Sequence, residues 1–433
     1  MTFSKRPILL TFLLFTALIL AACSSTEPAP PASDDTSNEV AALPTTKPTD
    51  APTDAPAEPT DAPPATDSPA PTEQPQPTAE PVATEPPQQG VDNRNERLKS
   101  LTKRWRTDWT ITSIDFDEIL SGGPPRDGIP SIDEPKFIDS AEADEWLADN
   151  EPVIALEING DARAYPLQII TWHEIVNDTV GDTPVIVTFC PLCNSAIVFE
   201  RIVNGEPTEF GVSGLLRNSD LIMYDRQTES LWQQFTGTGI VGTTTGQQLT
   251  FLPSSLISYA NFKDAYPDGK ILSRDTGNPR NYGNNPYAGY DTLGRQPFLF
   301  NGEKDERLDA VARVTTVHLD EGNIDIAYPL TVLEEMQVIN DVQGEQPIVV
   351  FHLPGTSSAL GKRVIALGED VGATGVFDPV VNGQTLTFSR DGDVFVDAET
   401  GTTWNIVGHA LDGELAGEQL EPIVHADHFW FSW

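Results

Sequence analysis

Short apolar runs separated by turn-forming residues dominate the chain from about residue 150 onward. The runs are rich in β-branched and aromatic residues, and Gly, Asn and Pro lie between them, a pattern typical of β-strands joined by tight turns. The clearest predicted strands are residues 153–158, 185–189, 196–202, 221–224 and 231–235. Apolar spacing predicts helices over 167–176 and 258–266. The fold class that follows is α+β, with mostly β structure.

This pattern occurs twice, which predicts an internal duplication. The recurring motifs are Ala164-Tyr165-Pro166-Leu167 with Ala327-Tyr328-Pro329-Leu330, Ile175-Val176-Asn177-Asp178 with Val338-Ile339-Asn340-Asp341, and residues 184–189 with 347–351. Further along, Asp225 and Trp232 align with Asp397 and Trp404 without a gap. Self-similarity of this length predicts two sequence-related units side by side, residues 150–311 and 312–433.

The N-terminus has the pattern of a bacterial lipoprotein signal. Lys5 and Arg6 precede an apolar run over residues 8–20, which is shorter than the ~20 residues of a membrane-spanning helix. Cys23 follows at the position where a lipid would be attached. We therefore expect a signal peptide over 1–22 and an extracytoplasmic protein, at the cell surface or in the periplasm. Acyl chains on the cysteine would hold it to the lipid membrane.

Residues 23–90 consist mainly of Pro, Thr, Ala, Asp and Glu. Such a composition cannot offset the entropy of ordering, so the sequence predicts a disordered tether. Residues 91–149 then form an N-terminal lead-in to the first unit. The chain carries 65 acidic against 26 basic residues, a formal net charge of −39 at pH 7. Because so negative a surface repels polyanions, a nucleic-acid partner is excluded.

Two of the three cysteines form the motif Cys190-Pro191-Leu192-Cys193 at the end of a predicted strand. A C-x-x-C pair is either a redox couple or part of a metal site. If Cys23 carries lipid, the two thiols have only each other, and outside the cytoplasm they can cycle with a disulfide. We expect free backbone N–H groups at the turn to stabilise a thiolate and to lower the pKa of Cys190.

Only the first unit contains this motif. Where the first unit has Phe189-Cys190, the second aligns Phe351-His352, with no cysteine and one additional residue in the loop. A disulfide that stabilised the fold would be needed in both units, and closing so short a loop contributes only roughly 2 kcal/mol. The sequence therefore favours a functional role for the pair over a structural one.

Five motifs of the first unit are distinctive: residues 171–178 (TWHEIVND), 187–195 (VTFCPLCNS), 210–216 (FGVSGLL), 224–232 (YDRQTESLW) and 272–277 (LSRDTG). Together they closely resemble the bacterial and archaeal family known as domain of unknown function 3179. Some members of that family are described as selenoproteins. Selenium in place of a sulfur of the C-x-x-C motif would imply redox chemistry, so the resemblance implies a redox-active pair here.

His173 is the residue that we expect beside the thiols. It lies on a predicted helix before the cysteine strand, where an imidazole could act as a base for Cys190 or as a third metal ligand. The supporting candidates are Glu174, Asp225, Arg226, Trp232, Arg274 and Asp275. Asp225 and Trp232 have counterparts in the second unit, which lacks the cysteines, and this favours a packing role for both. The polar loop 274–291 is expected to cover the thiols or to clasp the two units.

Three functions stay open at this point. The first is thiol-disulfide redox chemistry by an extracytoplasmic lipoprotein, which would make the protein a thiol-disulfide oxidoreductase. The second is binding or delivery of copper or zinc by Cys190, Cys193 and His173, with His352 as a fourth ligand if the loops of the two units meet. The third is a non-catalytic structural lipoprotein. The first two imply a redox or metal partner protein, which the sequence does not identify.

Overall fold

A computed structural model describes residues 90–319 and 323–433. These residues belong to one unit of the chain, Pro81–Trp433. The expected signal peptide and Cys23 lie outside the described residues, as does the expected tether except for Gly90. No helix in the described ranges has both the length and the apolar composition needed to cross a membrane.

The structure is mostly β, with few and short helices. The lead-in contains α1 (Glu96–Leu101), a 3₁₀ turn (Phe116–Glu118), β1 (Ile119–Ser121), β2 (Phe137–Ile138) and α2 (Ser140–Ala143). The first half contains β3 (Pro152–Ile158), β4 (Asp161–Pro166), α3 (Leu167–Ile170), β5 (Ile175–Val180), β6 (Thr183–Cys190), β7 (Ser195–Glu200), β8 (Ile202–Val203), β9 (Glu206–Pro207), β10 (Phe210–Arg217), β11 (Asp220–Asp225), β12 (Leu231–Gln233), β13 (Thr238–Val241), β14 (Thr250–Leu252), β15 (Ser255–Ser258), α4 (Tyr259–Ala265) and β16 (Lys270–Leu272).

The second half begins after the long loop that follows β16. It contains β17 (Arg313–Leu319), β18 (Ile324–Pro329), α5 (Leu330–Met336), β19 (Val338–Gln343), β20 (Gln346–Leu353), a 3₁₀ turn (Ile365–Leu367), β21 (Ala373–Asp378), β22 (Val380–Val381), β23 (Gln384–Thr385), β24 (Phe388–Asp391), β25 (Val394–Asp397), β26 (Thr403–Trp404), β27 (Ala410–Asp412), β28 (Glu421–Pro422) and β29 (His425–Phe429).

Together with β1 and β2 of the lead-in, the strands of the first half form three larger sheets, in the orders β1-β10-β11-β12-β13, β14-β7-β6-β5 and β15-β3-β4-β16-β2. Those of the second half form β18-β17-β29, β19-β20-β21-β28 and β24-β25-β26-β27. The small ribbons are β8-β9 and β22-β23. The second half thus repeats the strand neighbours of the first. Between the named strands, pairing is antiparallel except for β4 with β16, so short turns are enough to connect most neighbours.

Buried side-chain hydrogen bonds recur in the two halves as well. They are Tyr165 to Asp178 and Tyr328 to Asp341, at 2.6 and 2.9 Å, and Trp232 to Asp225 and Trp404 to Asp397, at 3.0 Å each. A buried hydroxyl or indole N–H without a partner would destabilise the fold, so each half satisfies these donors with an aspartate. These contacts belong to the framework of the protein.

Strands occur at all five places predicted from apolar runs, although β12 ends at Gln233 and Arg201 divides the range 196–202 into β7 and β8. The helix over 258–266 is confirmed. That helix is α4, which Ser258 caps by accepting a hydrogen bond from the Asn261 N–H. The predicted helix over 167–176 is wrong for most of its length. Helix α3 ends at Ile170, and the strand β5 already begins at Ile175. Tertiary pairing with β6 has overridden the helical spacing of its apolar residues.

The two halves share hydrophobic cores. One buried cluster joins Tyr259 and Phe262 of the first half to Phe351 and Trp404 of the second. Another joins residues of β6 to Val311 and Phe429. Separating the halves would expose these side chains to water, at about 25 cal/mol for each Å² of apolar surface. The loop between β6 and β7 therefore lies in a rigid surrounding.

Candidate functional site

The C-x-x-C motif forms the tight turn between β6 and β7. Cys190 is the last residue of β6 and pairs with Ser195, the first residue of β7. The Cys193 N–H donates to the Cys190 carbonyl at 3.1 Å, and Asn194 has a left-handed backbone with φ 51°. Both cysteines are free and buried, with exposed fractions of 1% and 0%. The turn thus brings two reduced thiols together inside the protein.

The hairpin of β10 and β11 places its tip against these thiols. Its two-residue turn is Asn218-Ser219, with φ values of 50° and 70°, as in a type I′ turn. The Ser219 carbonyl lies 3.8 Å from Cys193 Sγ and 4.0 Å from Cys190 Sγ, and it accepts hydrogen bonds from the thiols. The residue that follows the turn is Asp220.

Asp220 completes a group that we call the thiol cluster: Cys190, Cys193 and Asp220. Its Oδ1 lies 3.5 Å from Cys193 Sγ, and its Oδ2 accepts hydrogen bonds from the Phe235 N–H at 3.0 Å and from the Gln233 amide. One carboxylate oxygen and both sulfur atoms lie within 4.8 Å of one another. Within residues 90–319 and 323–433, no other three His, Cys, Asp or Glu side chains approach as closely.

Burial controls the protonation of the thiol cluster. It raises the pKa of Asp220 to about 6, although hydrogen bonds from Phe235, Gln233 and both thiols lower it. Burial also raises the pKa of Cys190, and it raises the pKa of Cys193 well above that of an ordinary thiol. The expectation of a lowered Cys190 pKa is therefore wrong. For Cys190, burial and the charge of Asp220 outweigh the hydrogen bonds from Cys193 and from the Leu221 N–H.

Glu174 is a second buried carboxyl group close to the cluster. Its pKa is raised to about 8, first by burial and then by the charge of Asp220, while a hydrogen bond with Tyr287 lowers it. The side chain is thus mostly uncharged at neutral pH. Its backbone is left-handed, with φ 61°, and Gln337 has φ 63° at the corresponding place before β19. The unusual backbone therefore belongs to both halves, and the carboxyl group to the first alone.

His173 is not part of the thiol cluster, which corrects the expectation of a base or third ligand at this residue. Its Nδ1 lies 2.7 Å from the Pro130 carbonyl, and its Nε2 lies 2.7 Å from the Tyr282 hydroxyl. Both ring nitrogens are thus engaged, and burial lowers the pKa of the imidazole. The side chain ties the lead-in to the long loop. Asp220 occupies the place in which His173 was expected.

His352 does not correspond to Cys190, because the two halves align differently in the structure than in the sequence. Strands β6 and β20 have eight residues each and pair with β5 and β19 in the same register. Their ends match Cys190 with Leu353, and His352 with Phe189. His352 is buried and lies outside the thiol cluster, so the expectation that it supplies a fourth ligand is also wrong. Strands β6 and β20 therefore align without a gap, and the additional residues of the second unit lie after the strand.

The supporting candidates hold the framework. Asp225 binds Trp232 as its counterpart does in the second half, which agrees with a packing role. Arg226 donates to Ser131 Oγ at 2.8 Å and to Asp133 at 3.1 Å, and so fixes the lead-in on β11. These side chains stabilise the walls around the site.

Arg274 and Asp275 likewise contact the lead-in. The Arg274 guanidinium lies 4.3 Å from the ring centre of Trp146, and Asp275 accepts a hydrogen bond from Lys136 at 2.6 Å. Neither belongs to the thiol cluster. Their contacts anchor the start of the polar loop that follows them.

The polar loop 274–291 joins the two halves, which is one of its two expected roles, and part of it lines a cavity with Glu174. Its Tyr287 hydrogen-bonds Glu174. Its Asn285 and Gly289 N–H groups donate at 2.8 Å to the carbonyls of Arg363 and Gly361 in the second half. The loop is therefore held from both sides.

The second half contributes directly to the position of the thiols. The Cys193 carbonyl accepts hydrogen bonds from the Phe429 N–H at 2.9 Å and from the Ser432 hydroxyl at 3.3 Å. The Asn194 amide donates to the Asp427 carbonyl at 3.4 Å. The end of the chain therefore fixes the C-x-x-C turn, although the second half has no cysteine itself.

A cavity of about 410 Å³ lies beside the thiol cluster. Leu192, between the two cysteines, and Leu221, directly after Asp220, line it, and so does Glu174. Most of the remaining wall is apolar and comes from β10, the lead-in and the loops 286–290 and 295–298. A small molecule in this cavity would lie against residues that adjoin the thiols in the chain.

Asp220 is the member of the thiol cluster that the sequence analysis missed. The available signal was the alignment of Asp225 with Asp397, which matches Asp220 with Gly392. The gap-free alignment thus gives Asp220 no acidic counterpart, although Asp391 and Asp393 flank Gly392. Its closeness to Cys193 depends on the packing of two hairpins and leaves no local pattern in the sequence.

A family model described as "Protein of unknown function (DUF3179)" matches residues 126–433. The match includes the thiol cluster, Glu174 and both halves of the fold. It confirms the resemblance seen in the five sequence motifs. Neither a curated protein nor a solved structure gives a significant match to the chain.

Proposed function

The chain belongs to the DUF3179 family, and we propose that its site carries out reversible thiol-disulfide redox chemistry with Cys190 and Cys193. The observation that supports this proposal most is the convergence of both thiols with Asp220 in one half of a repeated fold. The other half keeps the framework hydrogen bonds and has none of the three groups. Stability alone would not explain that difference.

Asp220 serves as the proton acceptor in the proposed reaction. Its pKa of about 6 leaves it mostly ionised at pH 7, and its Oδ1 accepts a hydrogen bond from the Cys193 thiol at 3.5 Å. Such a base compensates for the raised pKa of the thiols, because deprotonation then occurs only as the reaction proceeds.

We assign Cys190 as the nucleophile of the pair, because the Leu221 N–H stabilises its thiolate. Its sulfur attacks a two-electron acceptor, and Cys193 then attacks the Cys190 sulfur. Two S–H bonds break and one S–S bond forms. Two electrons and two protons pass to the acceptor.

Metal binding is the second candidate, and the spacing of the ligand atoms favours it. Two sulfur atoms and one carboxylate oxygen within 4.8 Å would suit zinc or copper, with one coordination position left for another ligand. A bound cation would also neutralise the negative charge of two buried thiolates and a buried carboxylate. In this proposal neither His173 nor His352 is a metal ligand.

One pair of variants tests both candidates. Asp220→Asn should slow oxidation of the reduced thiols by an added disulfide by about tenfold or more, because the proton acceptor is lost. Asp182→Asn, at the exposed turn before β6, is the matched control and should react like the wild type. The measurement is the rate of disulfide formation, followed by alkylation and mass spectrometry. If the cysteines of the wild type never form a mutual disulfide, the redox proposal is wrong.

Metal analysis of the same proteins separates the second candidate. A metal site would give close to one zinc or copper per chain in the wild type and a large loss in Asp220→Asn, since removing one of three ligands weakens a site severely. His173→Ala should keep the metal content of the wild type. A metal-free protein at all tested concentrations of zinc and copper would contradict this candidate.

The sequence supports three further proposals about the whole chain. Cys23 carries lipid and anchors the protein to a membrane outside the cytoplasm. The acidic, Pro-rich segment 23–90 is a disordered tether. The two halves arose by duplication of one unit, which the recurrence of motifs, strand neighbours and buried hydrogen bonds supports. The redox or metal partner would meet the site at the end of this tether.

A further inference from the structure

The outer edge of β5 in the first half is covered by the lead-in. Ile132 forms a parallel bridge to Val176. Its N–H donates to the Ile175 carbonyl and its carbonyl accepts from the Asn177 N–H, at 2.9 Å each. Under this cover Asn177 is only 2% exposed. A short extended segment thus completes the sheet in the way that a bound peptide does in β-strand addition.

The corresponding strand of the second half, β19, has no such cover among the described residues. It is the outermost strand of the sheet β19-β20-β21-β28, and no described segment pairs with its other side. Asn340, the counterpart of Asn177, makes the same two side-chain bonds, here to the N–H and carbonyl of Phe388, yet it is exposed. Because β5 and β19 pair with their neighbours in the same register, the Val338 carbonyl and the Asn340 N–H point away from β20. They are available to an added strand.

The edge of β19 lacks the features that usually prevent strand addition. Residues 338–343 contain neither Pro nor Lys, and their register with β20 runs without a bulge. The one charged residue of the strand, Asp341, accepts a hydrogen bond from the Tyr328 hydroxyl at 2.9 Å. A free and regular edge of this kind is a template for pairing with another chain.

Exposed apolar side chains lie beside this edge. Met336 occupies the place of His173, which holds the Pro130 carbonyl of the covering segment in the first half. Met336 is 58% exposed, and Val342 within the strand is 63% exposed. The second half therefore presents apolar surface at the places where the first half contacts its covering segment.

The charge around the β19 edge favours a basic partner. Residues 314–361 contain neither Lys nor Arg. In the first half Arg226 binds Asp133 of the covering segment at 3.1 Å, whereas the gap-free alignment places Ala398 there in the second half. The acidic residues closest to β19 in the described sequence are Asp325, Glu334, Glu335, Asp341 and Glu345. This surface attracts a basic segment and repels a second copy of the chain, whose formal net charge is −39.

We propose that the edge of β19 binds an extended, basic segment of a partner protein by β-strand addition. One residue of that segment takes the place that Ile132 has on β5. Its N–H donates to the Val338 carbonyl, and its carbonyl accepts from the Asn340 N–H. Apolar side chains of the segment cover Met336 and Val342, and its Lys or Arg side chains face the acidic residues. This inference is independent of the redox and metal proposals, because β19 contributes no residue to the thiol cluster.

The probe is a synthetic peptide with the sequence of residues 127–136, made basic by the changes Asp127→Lys, Asp133→Lys and Glu134→Lys. With the full-length protein in detergent, we expect saturable binding in fluorescence anisotropy. Deuterium exchange of residues 338–343, followed by mass spectrometry, should become slower because their free N–H groups become paired. The same peptide with an N-methyl group on Ile132 keeps its charge and lacks the N–H donor. Its affinity should be lower by about tenfold or more.

Met336→Lys should weaken binding of the basic peptide by about tenfold, because it replaces an apolar contact with a like charge. The side chain is mostly exposed, so the exchange is compatible with folding. Leu411→Lys is the matched control, since Leu411 is 51% exposed, lies in β27 and gains the same charge. It should bind the peptide like the wild type.

Four results would overturn the inference. They are absence of binding, equal binding of the N-methylated peptide, equal binding by Met336→Lys and the wild type, and slower exchange at residues 175–180 in place of 338–343. Equal binding of the two peptides would show that charge alone attracts them to the acidic protein. None of these results concerns the thiols, whose oxidation and metal content are measured in the separate experiments above.

Discussion

At the residue scale, the first half differs from the second by a few carboxyl and thiol groups at the site. Glu174 has a counterpart in Gln337, with nearly the same left-handed φ and the same backbone hydrogen bonds. An amide therefore meets the needs of the backbone at this place. The carboxyl group, which burial makes harder to ionise, is a feature of the thiol-bearing half and carries a penalty for stability.

Glu174→Gln should stabilise the protein at alkaline pH and make its stability less dependent on pH. The pKa of Glu174 is raised from 4.5 to about 8 on folding. The group's contribution to stability is therefore complete below about pH 4.5 and is lost as pH rises towards 8. The variant should gain on the order of 3 kcal/mol over the wild type between pH 5 and pH 8.

Urea unfolding at both pH values measures this gain. Glu335→Gln, at an exposed position of α5, is the control and should follow the wild type. Parallel pH profiles for the wild type and Glu174→Gln would show that the carboxyl group is hydrated or otherwise stabilised in the folded protein.

At the element scale, two hairpins create the thiol cluster. The turn between β6 and β7 supplies the cysteines, and the turn between β10 and β11 supplies the Ser219 carbonyl and Asp220. Type I′ turns favour Gly at the second position, where this chain has serine with φ 70°. The Ser219 hydroxyl is buried beside Tyr290 and makes no hydrogen bond within 3.5 Å among the described residues. The tip of the β10–β11 hairpin is therefore not optimised for stability.

Ser219→Gly should raise the free energy of unfolding by about 1 kcal/mol, because glycine adopts a positive φ without strain. The carbonyl that contacts the thiols remains, so the oxidation rate of the cysteines should stay within about twofold of the wild type. Ser254→Gly, at a loop position without a positive φ, should instead lose stability. Chemical unfolding and alkylation kinetics supply the two readouts. A destabilised Ser219→Gly would show that the hydroxyl has a role that the turn geometry does not reveal.

At the scale of the whole molecule, one half has the thiols and both halves hold them in place. Phe429 and Ser432 bind the Cys193 carbonyl, and the loop 274–291 is joined to the second half. Shared cores make the halves one mechanical unit. The second half can therefore retain the framework without the reactive groups and still be needed for the site.

Cys23→Ser should release the protein from membranes, because the lipid attached to this residue is the proposed anchor. Cell fractionation and labelling with a radioactive fatty acid measure the change. Ser24→Ala is the control beside it and should remain labelled and membrane-bound. Retention of Cys23→Ser in the membrane fraction would contradict the lipoprotein proposal.

The sequence by itself determined the strands, the family and the C-x-x-C turn. These features depend on neighbouring residues: apolar runs, turn formers and short motifs act over fewer than about ten positions. The recurrence of motifs also indicated that only one half bears the cysteine pair. The helix predicted over 167–176 failed because strand pairing with β6 decided the conformation of residues 175–180.

Only the tertiary structure decided which side chains meet the thiols. Asp220 lies 27 positions from Cys193 in the chain and reaches it because two hairpins pack against each other. His173 and Glu174 are adjacent, yet the first binds Pro130 and Tyr282 while the second lines the cavity. Burial, which sets the protonation of the site, is a property of the packed molecule. Burial depends on all the residues that exclude water from the thiols, and a local sequence pattern cannot predict it.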